Sequence, residues 1–230
     1  MKFSNIVNDF VNTTKEERKP NTIFCSELGM CMRRIFFNIK EPVEFPPETL
    51  KVFLLGNMMH DKMSEILSLS DKIEEVQSEI PATIYVPGIG LRLSGRCDDI
   101  ITVDGKKYIV EKKSCSSLSY YREQNKPSEH HKLQIMAYMA AFGIHQGFLL
   151  YMNKKNFDTE SFEIEFDQKT FDKELDRVKD IMVFVNNNII PKAEAKFNKE
   201  LKWQCQFCPY KERCDKIGVE ERNYMEEQSD

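Results

Sequence analysis

The stretch from Leu91 to Ser114, LRLSGRCDDIITVDGKKYIVEKKS, carries the residues whose types and spacing best suit chemistry. Two runs rich in Ile, Val, Tyr and Thr flank Asp104-Gly105, a dipeptide that supplies the positive φ angles of a two-residue type I′ turn. That turn pairs Val103 with Lys106 and Ile101 with Tyr108, and continued down the ladder it sets Asp98 opposite Glu111. Side chains alternate faces, so Lys113 shares the face of Glu111 and Asp98 while Asp99 points the other way. Opposed carboxylates repel by up to about 1 kcal/mol even when solvated, and a sheet that keeps them ordinarily holds a cation between them. Hard oxygen ligands beside an ammonium suit Mg²⁺ or Mn²⁺ and the hydrolysis of a phosphodiester. A solvated polar face on an edge hairpin would use the same residues, and a three-residue loop would slip the register and bring up Asp99.

A second constellation lies in the tail, Cys205-Gln-Phe-Cys208-Pro-Tyr-Lys-Glu-Arg-Cys214, a C-x2-C-x5-C run in a polar, basic segment. Three thiolates leave one ligand position vacant, and Cys31 is the best candidate for it. Arg33 and Arg34 beside Cys31, with Lys202, Lys211 and Arg213 in the tail, would offset the charge of four thiolates. Zinc and an iron–sulfur cluster both accept four thiolates, and spacing does not separate them. Cys25, Cys97 and Cys115 read as ordinary small residues. Seven cysteines, an odd number, argue for metal binding and free thiols over a disulfide framework.

The elements that must position these groups follow from periodicity. Residues 1–20 read as a charged, helical lead-in with Thr14-x-x-Glu17 as a capping box. A helix is expected over Thr22 to Asn38, and Pro42, Pro46 and Pro47 break the chain before a second one, Glu48 to Leu69. There Val52, Leu55, Met59, Met63 and Ile66 recur at helical spacing as a buried stripe. His60 sits off that stripe, with Gly56 and Ser64 leaving open space beside its ring. Residues 73–86 read as a strand, the segment from Ser114 to Pro127 as a long loop, and Ser128 to Phe142 as a helix ended by Gly143. On that helix Gln134 and Tyr138 share a face, one turn beyond His130. Strands are expected over Gly147 to Asn153 and Ser161 to Asp167, and an amphipathic helix over Gln168 to Asn188.

At 230 residues the chain can bury a substantial core. Its net charge of −4 means that any nucleic-acid binding must come from a local basic patch. Lys112, Lys126, Lys132 and Arg122 are candidates for such a groove. No signal peptide and no membrane-length apolar run is visible, which sets the expectation of a cytoplasmic protein without a membrane partner.

Taken together and in order, the motifs Cys31-Met-Arg-Arg, Gly56-Asn-Met-Met-His60, Gly95-Arg-Cys-Asp98, Glu111-Lys-Lys113, Gln134-Ile-Met-Ala-Tyr138 and Cys205/Cys208/Cys214 resemble those of the RecB-type iron–sulfur nucleases. More narrowly they resemble the CRISPR-associated protein four family, within the PD-(D/E)XK nuclease superfamily. The likeness spans residues 31–214. Met32 stands where that family often has Pro, and Cys97 where an apolar residue usually precedes the Asp; neither change removes a catalytic group. The Gly95-x-x-Asp98 match independently favours Asp98 over Asp99.

The resemblance implies an α/β fold with a PD-(D/E)XK restriction-endonuclease-like core, a mixed central sheet flanked by helices in the order αβββαβ. It implies one nuclease domain over residues 1–230, with a helical part at 22–70 bearing one cluster Cys, a core at 71–190 and a cluster-binding tail at 191–230. A [4Fe–4S] cluster on Cys31, Cys205, Cys208 and Cys214 would join the N- and C-terminal segments. Mn²⁺ or Mg²⁺ would sit on His60, Asp98 and Glu111 with the backbone carbonyl of Lys112. Lys113 would orient the attacking water, and Gln134 and Tyr138 would contact the DNA strand.

The activity implied is metal-dependent exonucleolytic hydrolysis of DNA, at single strands or frayed ends, in CRISPR prespacer processing or in viral or plasmid recombination and repair. The CRISPR integrase complex is the implied protein partner, and a homo-oligomer is compatible with the pattern. The alternative is a catalytically silent DNA-binding or adaptor module that keeps the cluster. The full His60, Asp98, Glu111 and Lys113 set argues against it.

Overall fold

The computed structural model describes residues 3–12 and 18–227. The Thr14-x-x-Glu17 capping box lies outside them. In chain order the elements are α1 (Phe3–Asn12), β1 (Thr22–Phe24), α2 (Met32–Lys40), α3 (Pro47–Ser68), β2 (Glu75–Val86), β3 (Leu91–Val103) and β4 (Lys106–Cys115). There follow α4 (Ser119–Gln124), α5 (Glu129–Phe142), β5 (Gln146–Asn153), β6 (Thr159–Glu165) and α6 (Gln168–Asn186). The tail holds β7 (Ile189–Ile190), α7 (Glu194–Phe197), α8 (Lys211–Ile217), β8 (Arg222–Asn223) and α9 (Tyr224–Glu227). The chain forms two compact units: Met1–Glu17, Phe45–Ile84 and Ser94–Asp167 make the first, and Arg18–Glu44, Tyr85–Leu93 and Gln168–Asp230 the second.

The first unit is built on a mixed sheet. β3 runs antiparallel to β4, β4 parallel to β5, and β5 antiparallel to β6, with β2 also paired to β3. Asp104 and Gly105 both have positive φ, 49° and 71°, as a type I′ turn requires. The register is the one that turn dictates, from Val103↔Lys106 through Ile101↔Tyr108 to Asp99↔Val110. Central position explains why Ile109 to Lys112 of β4 are all buried.

Helix α3 covers the sheet face that bears Lys112 and Ser114. A Cβ on Gly56 would stand 3.1 Å from Ser114 Oγ, so this glycine permits close approach of helix to strand and the space beside it is filled, not open. Met59 and Met63 pack there with Met152, Leu150 and Phe157. Val52, Leu55 and Ile66 are exposed, which corrects the expected stripe. The buried line instead runs Gly56, Met59, Met63, because the narrow glycine contact and not the bulk of the apolar residues fixes how the helix is rotated. Helix α5 contributes Gln134 to the opposite face, where Lys113 lies. Ser128 occupies its N-cap and Gly143, φ 65°, its C-cap, though the Ser128 hydroxyl makes no capping bond. The expected loop after Ser114 contains α4, ended by Asn125 in the left-handed region.

In the second unit the helix expected over Thr22 to Asn38 is a strand, a 3₁₀ turn and a shorter helix. The β-branched and aromatic Thr22-Ile23-Phe24 run prefers extended backbone, and Arg92 N–H donates to Asn21 O beside it. Gly29, φ 70°, then interrupts, so α2 starts only after Cys31. Helices α2 and α6 pack together, with Ile35, Phe36 and Phe37 buried.

Candidate active site and cysteine centre

The hairpin and the two helices of the first unit bring Asp98, Glu111, Lys113, His60 and Gln134 together. Continued one step past Asp99↔Val110, the register sets Asp98 opposite Glu111. Asp98 Oδ2 accepts the Lys112 N–H at 2.6 Å, and Asp98 Oδ1 lies 3.4 Å from His60 Nδ1. Lys113 Nζ donates to Glu111 Oε1 at 2.7 Å and to Gln134 Oε1 at 2.8 Å. Glu111 is 2 % exposed, and its Oε2 has no hydrogen-bond donor among the described residues. A buried, donorless carboxylate oxygen calls for an explanation, and a bound cation is the ordinary one.

The two acids differ electrically. Burial works to raise the Asp98 carboxyl, but the His60 bond, the charges of His60 and Lys113 and the Lys112 N–H outweigh it and hold it below the usual range. Burial pushes Glu111 up to about 8, and the charge of Asp98 adds to this while Lys113 opposes it. One group is thus ready to ligate as an anion, and the other gains its charge when a cation arrives.

The structure shows the following of the groove and strand-contact candidates. Lys112 is 1 % exposed and ion-paired to Asp99 at 2.8 Å, so its side chain lines no groove; a charged residue in a strand flanked on both sides must pair inside. Gln134 and Tyr138 are both buried, Tyr138 to 2 %, and the Gln134 amide donates to Tyr138 Oη at 3.3 Å. Of the two, Gln134 bonds directly to Lys113. Of the remaining groove candidates, Arg122 pairs with Glu160 and Lys132 with Glu129. Sequence reasoning missed the polar cluster in which the half-buried Ser64 and the exposed Ser78 bond to Asp99, the buried partner of Lys112. The signal available was the tandem Asp98-Asp99 directly ahead of the apolar Ile100-Ile101, with a Lys at the middle of Glu111-Lys-Lys113.

The cysteine centre lies wholly in the second unit. Cys31, Cys205, Cys208 and Cys214 line one cavity of about 420 Å³ together with Arg33, Arg34, Lys196, Lys202 and Lys211. Gln204, next to Cys205, accepts the Cys31 N–H at 2.8 Å and donates to Gly29 O at 3.1 Å, which fixes the N-terminal thiol against the tail. Arg33 is buried. It donates from Nε to Pro191 O at 2.7 Å, from Nη2 to Val219 O at 3.0 Å and Glu220 O at 2.7 Å, and from Nη1 to Gly218 O and, at 3.5 Å, to Cys214 Sγ. Its charge offset was foreseen; its grip on four backbone carbonyls of the tail was not. Burial, followed by the charges of Cys31 and Cys214, raises the Cys205 thiol, and burial also raises Cys208. Among the described residues no three His, Cys, Asp or Glu side chains close on a single ion position. Cys25 and Cys97 are buried singly.

The model of the PD-(D/E)XK nuclease superfamily matches residues 11–215. The chain belongs to that superfamily. It is 24 % identical over 208 residues to the CRISPR-associated exonuclease Cas4 of Saccharolobus solfataricus, covering 90 % of this chain and 92 % of that one. The crystal structure of SSO0001 aligns with a TM-score of 0.68 at 21 % identity, over 94 % of this chain and 98 % of the other. An alkaline exonuclease from Laribacter hongkongensis aligns with a TM-score of 0.54 at 12 % identity, over 86 % and 95 %. Leaving out the short α4, the core order α3-β2-β3-β4-α5-β5 is the αβββαβ expected from the resemblance. Among the described residues no helix is long and apolar enough to cross a membrane.

Proposed function

We propose that this PD-(D/E)XK nuclease is a metal-dependent DNA exonuclease acting on single strands or DNA ends, with a [4Fe–4S] cluster in its second unit. The observation that carries the catalytic reading is the buried Asp98 and Glu111 pair with Glu111 Oε2 left without a donor. Mg²⁺ or Mn²⁺, held by Asp98, Glu111 and His60 with the Lys112 backbone carbonyl, would supply Lewis-acid polarisation of the phosphate and a more acidic water. Lys113 orients the attacking water and offsets charge developing on the phosphate. Gln134, fixed by Tyr138, holds the Lys113 ammonium in line from α5.

At the cysteine centre four thiolates suit either zinc or an iron–sulfur cluster. The resemblance to iron–sulfur nucleases favours a cluster on Cys31, Cys205, Cys208 and Cys214, which line one cavity of about 420 Å³. Basic side chains around it suit the net negative charge of a four-thiolate cluster. The cluster would tie the segment before α2 to the tail.

Similarity to the Cas4 exonuclease favours a role in CRISPR adaptation, trimming DNA before integration with the integrase complex as partner. The same chemistry would serve viral or plasmid recombination. The test compares wild type with Glu111→Ala, both purified anaerobically, on end-labelled single-stranded DNA with Mn²⁺ or Mg²⁺. Metal-dependent shortening in the wild type, lost by about 10³-fold in the variant, is expected from several kcal/mol of lost transition-state stabilisation. Inactivity of both with the cluster intact would favour the adaptor reading.

A further inference from the structure

The middle residue of the E-x-K pair, Lys112, sits in a strand paired on both sides, on the face covered by α3, where an apolar residue would pack without cost. Its ammonium donates to the His60 carbonyl at 3.0 Å and to Ser64 Oγ, and lies 2.8 Å from Asp99 Oδ2 as an ion pair. Asp99 Oδ1 in turn accepts from Ser64 Oγ at 2.8 Å and Ser78 Oγ at 2.6 Å. The buried charge is thus met by a carboxylate and two hydrogen-bond acceptors, as its burial demands. Yet buried ion pairs add little stability over well-packed apolar residues of similar volume. Fold stability alone does not account for the pair; where its bonds go does.

We infer that Lys112 is a positioning residue for the metal site, fixing Asp98 through its backbone N–H and His60 through its Asp99-paired ammonium. The N–H reaches Asp98 Oδ2, and the ammonium reaches the carbonyl of the very residue whose ring lies 3.4 Å from Asp98 Oδ1. One residue thus sets the separation of a strand-borne and a helix-borne ligand, while Ser64 and Ser78 hold Asp99 in place beneath it. This rests on the reading of Asp98, Glu111 and His60 as metal ligands.

The experiment is calorimetric titration of Mn²⁺ into metal-free full-length protein, comparing wild type with the volume-matched double variant Asp99→Val/Lys112→Met. The variant is expected to melt within about 3 °C of wild type. It is expected to bind Mn²⁺ about tenfold or more weakly and to lose kcat with little change in KM for DNA. His60→Ala should then cost much less affinity in the variant than in wild type, the non-additivity that a shared positioning role produces and a purely structural one does not. Mn²⁺ affinity and kcat within about twofold of wild type, in a protein that melts normally, would overturn the inference. If the double variant does not melt cooperatively, Ser64→Ala decides the matter: it removes one ammonium acceptor and leaves the ion pair, and unchanged Mn²⁺ affinity would count against the proposal. Wild type that binds no Mn²⁺ would instead remove the metal-site reading itself.

Discussion

The carboxylate site and the cysteine centre both gather groups that repel one another, but they assemble differently. Asp98, Glu111 and Lys113 come from one hairpin, and a two-residue turn fixes their register before any distant contact forms. Cys31 and Cys205 are brought together across most of the chain, through the Gln204 amide on the Cys31 N–H and the Arg33 side chain on the tail carbonyls. The first arrangement leaves one buried carboxylate oxygen without a donor among the described residues; the second encloses a cavity. A site set by local register tolerates loss of its cation, because the strand pairing persists. A site closed over a long loop depends on what fills it, since ligand bonds across distant segments are themselves folding free energy.

The sharpest test of this contrast is Cys208→Ala. It should give a colourless protein that melts at least about 10 °C lower, since structural metal ligation is worth many kcal/mol and each kcal/mol is about 2–4 °C at this size. Glu111→Ala, in comparison, should keep both colour and melting midpoint while losing activity. Thermal melts and visible absorbance of both variants decide it, and a brown, stable Cys208→Ala would end the distinction.

The same difference explains what could be read from the residues alone. The hairpin register was legible because Asp104-Gly105 admits one turn geometry and period two does the rest. The long helices α3, α5 and α6 were legible from spacing, but the rotation of α3 was not: it depends on Gly56 meeting Ser114, a contact no periodicity encodes. The gathering of Cys31 with the tail thiols could be proposed from ligand counting, yet the buried grip of Arg33 could not, because an Arg beside a Cys reads first as charge compensation. The Asp99 and Lys112 pair was hidden for a related reason. In sequence a Lys-Lys dipeptide reads as solvated, and only the strand's central place in the sheet makes one of the two buried.

A second test addresses how the tail is held. Arg33→Met removes the donors serving the carbonyls of Pro191, Gly218, Val219 and Glu220 and leaves them to find water or stay unpaired. The expected cost is about 3 kcal/mol, in the range for breaking a buried charged network. Urea unfolding measures it. A loss under about 1 kcal/mol would mean that the cysteine ligation alone holds the tail, and that the second unit is more like the first than argued above.

The smallest effect expected is on pH dependence at the carboxylate site, where metal affinity and metal-free stability change with opposite sign. Glu111, raised to about 8 by burial and then by the Asp98 charge, carries a proton at neutral pH in metal-free protein. A cation must displace that proton, so Mn²⁺ affinity should climb with pH by up to about tenfold per unit below that value and level off above it. Calorimetry from about pH 6 to pH 9, in two buffers of different ionisation enthalpy, reads both the affinity and the released proton. Stability of the metal-free protein runs the other way. Between the ordinary Glu value and about 8 the native state holds a proton that the unfolded chain has lost, so this group's contribution falls as pH rises through that window. Asp98, held low, titrates below the window and adds nothing within it. Metal-free protein that grew more stable from about pH 6 to pH 8, with Glu111→Gln abolishing no part of the trend, would show that this carboxylate is already ionised and that its buried oxygen is not waiting for a cation.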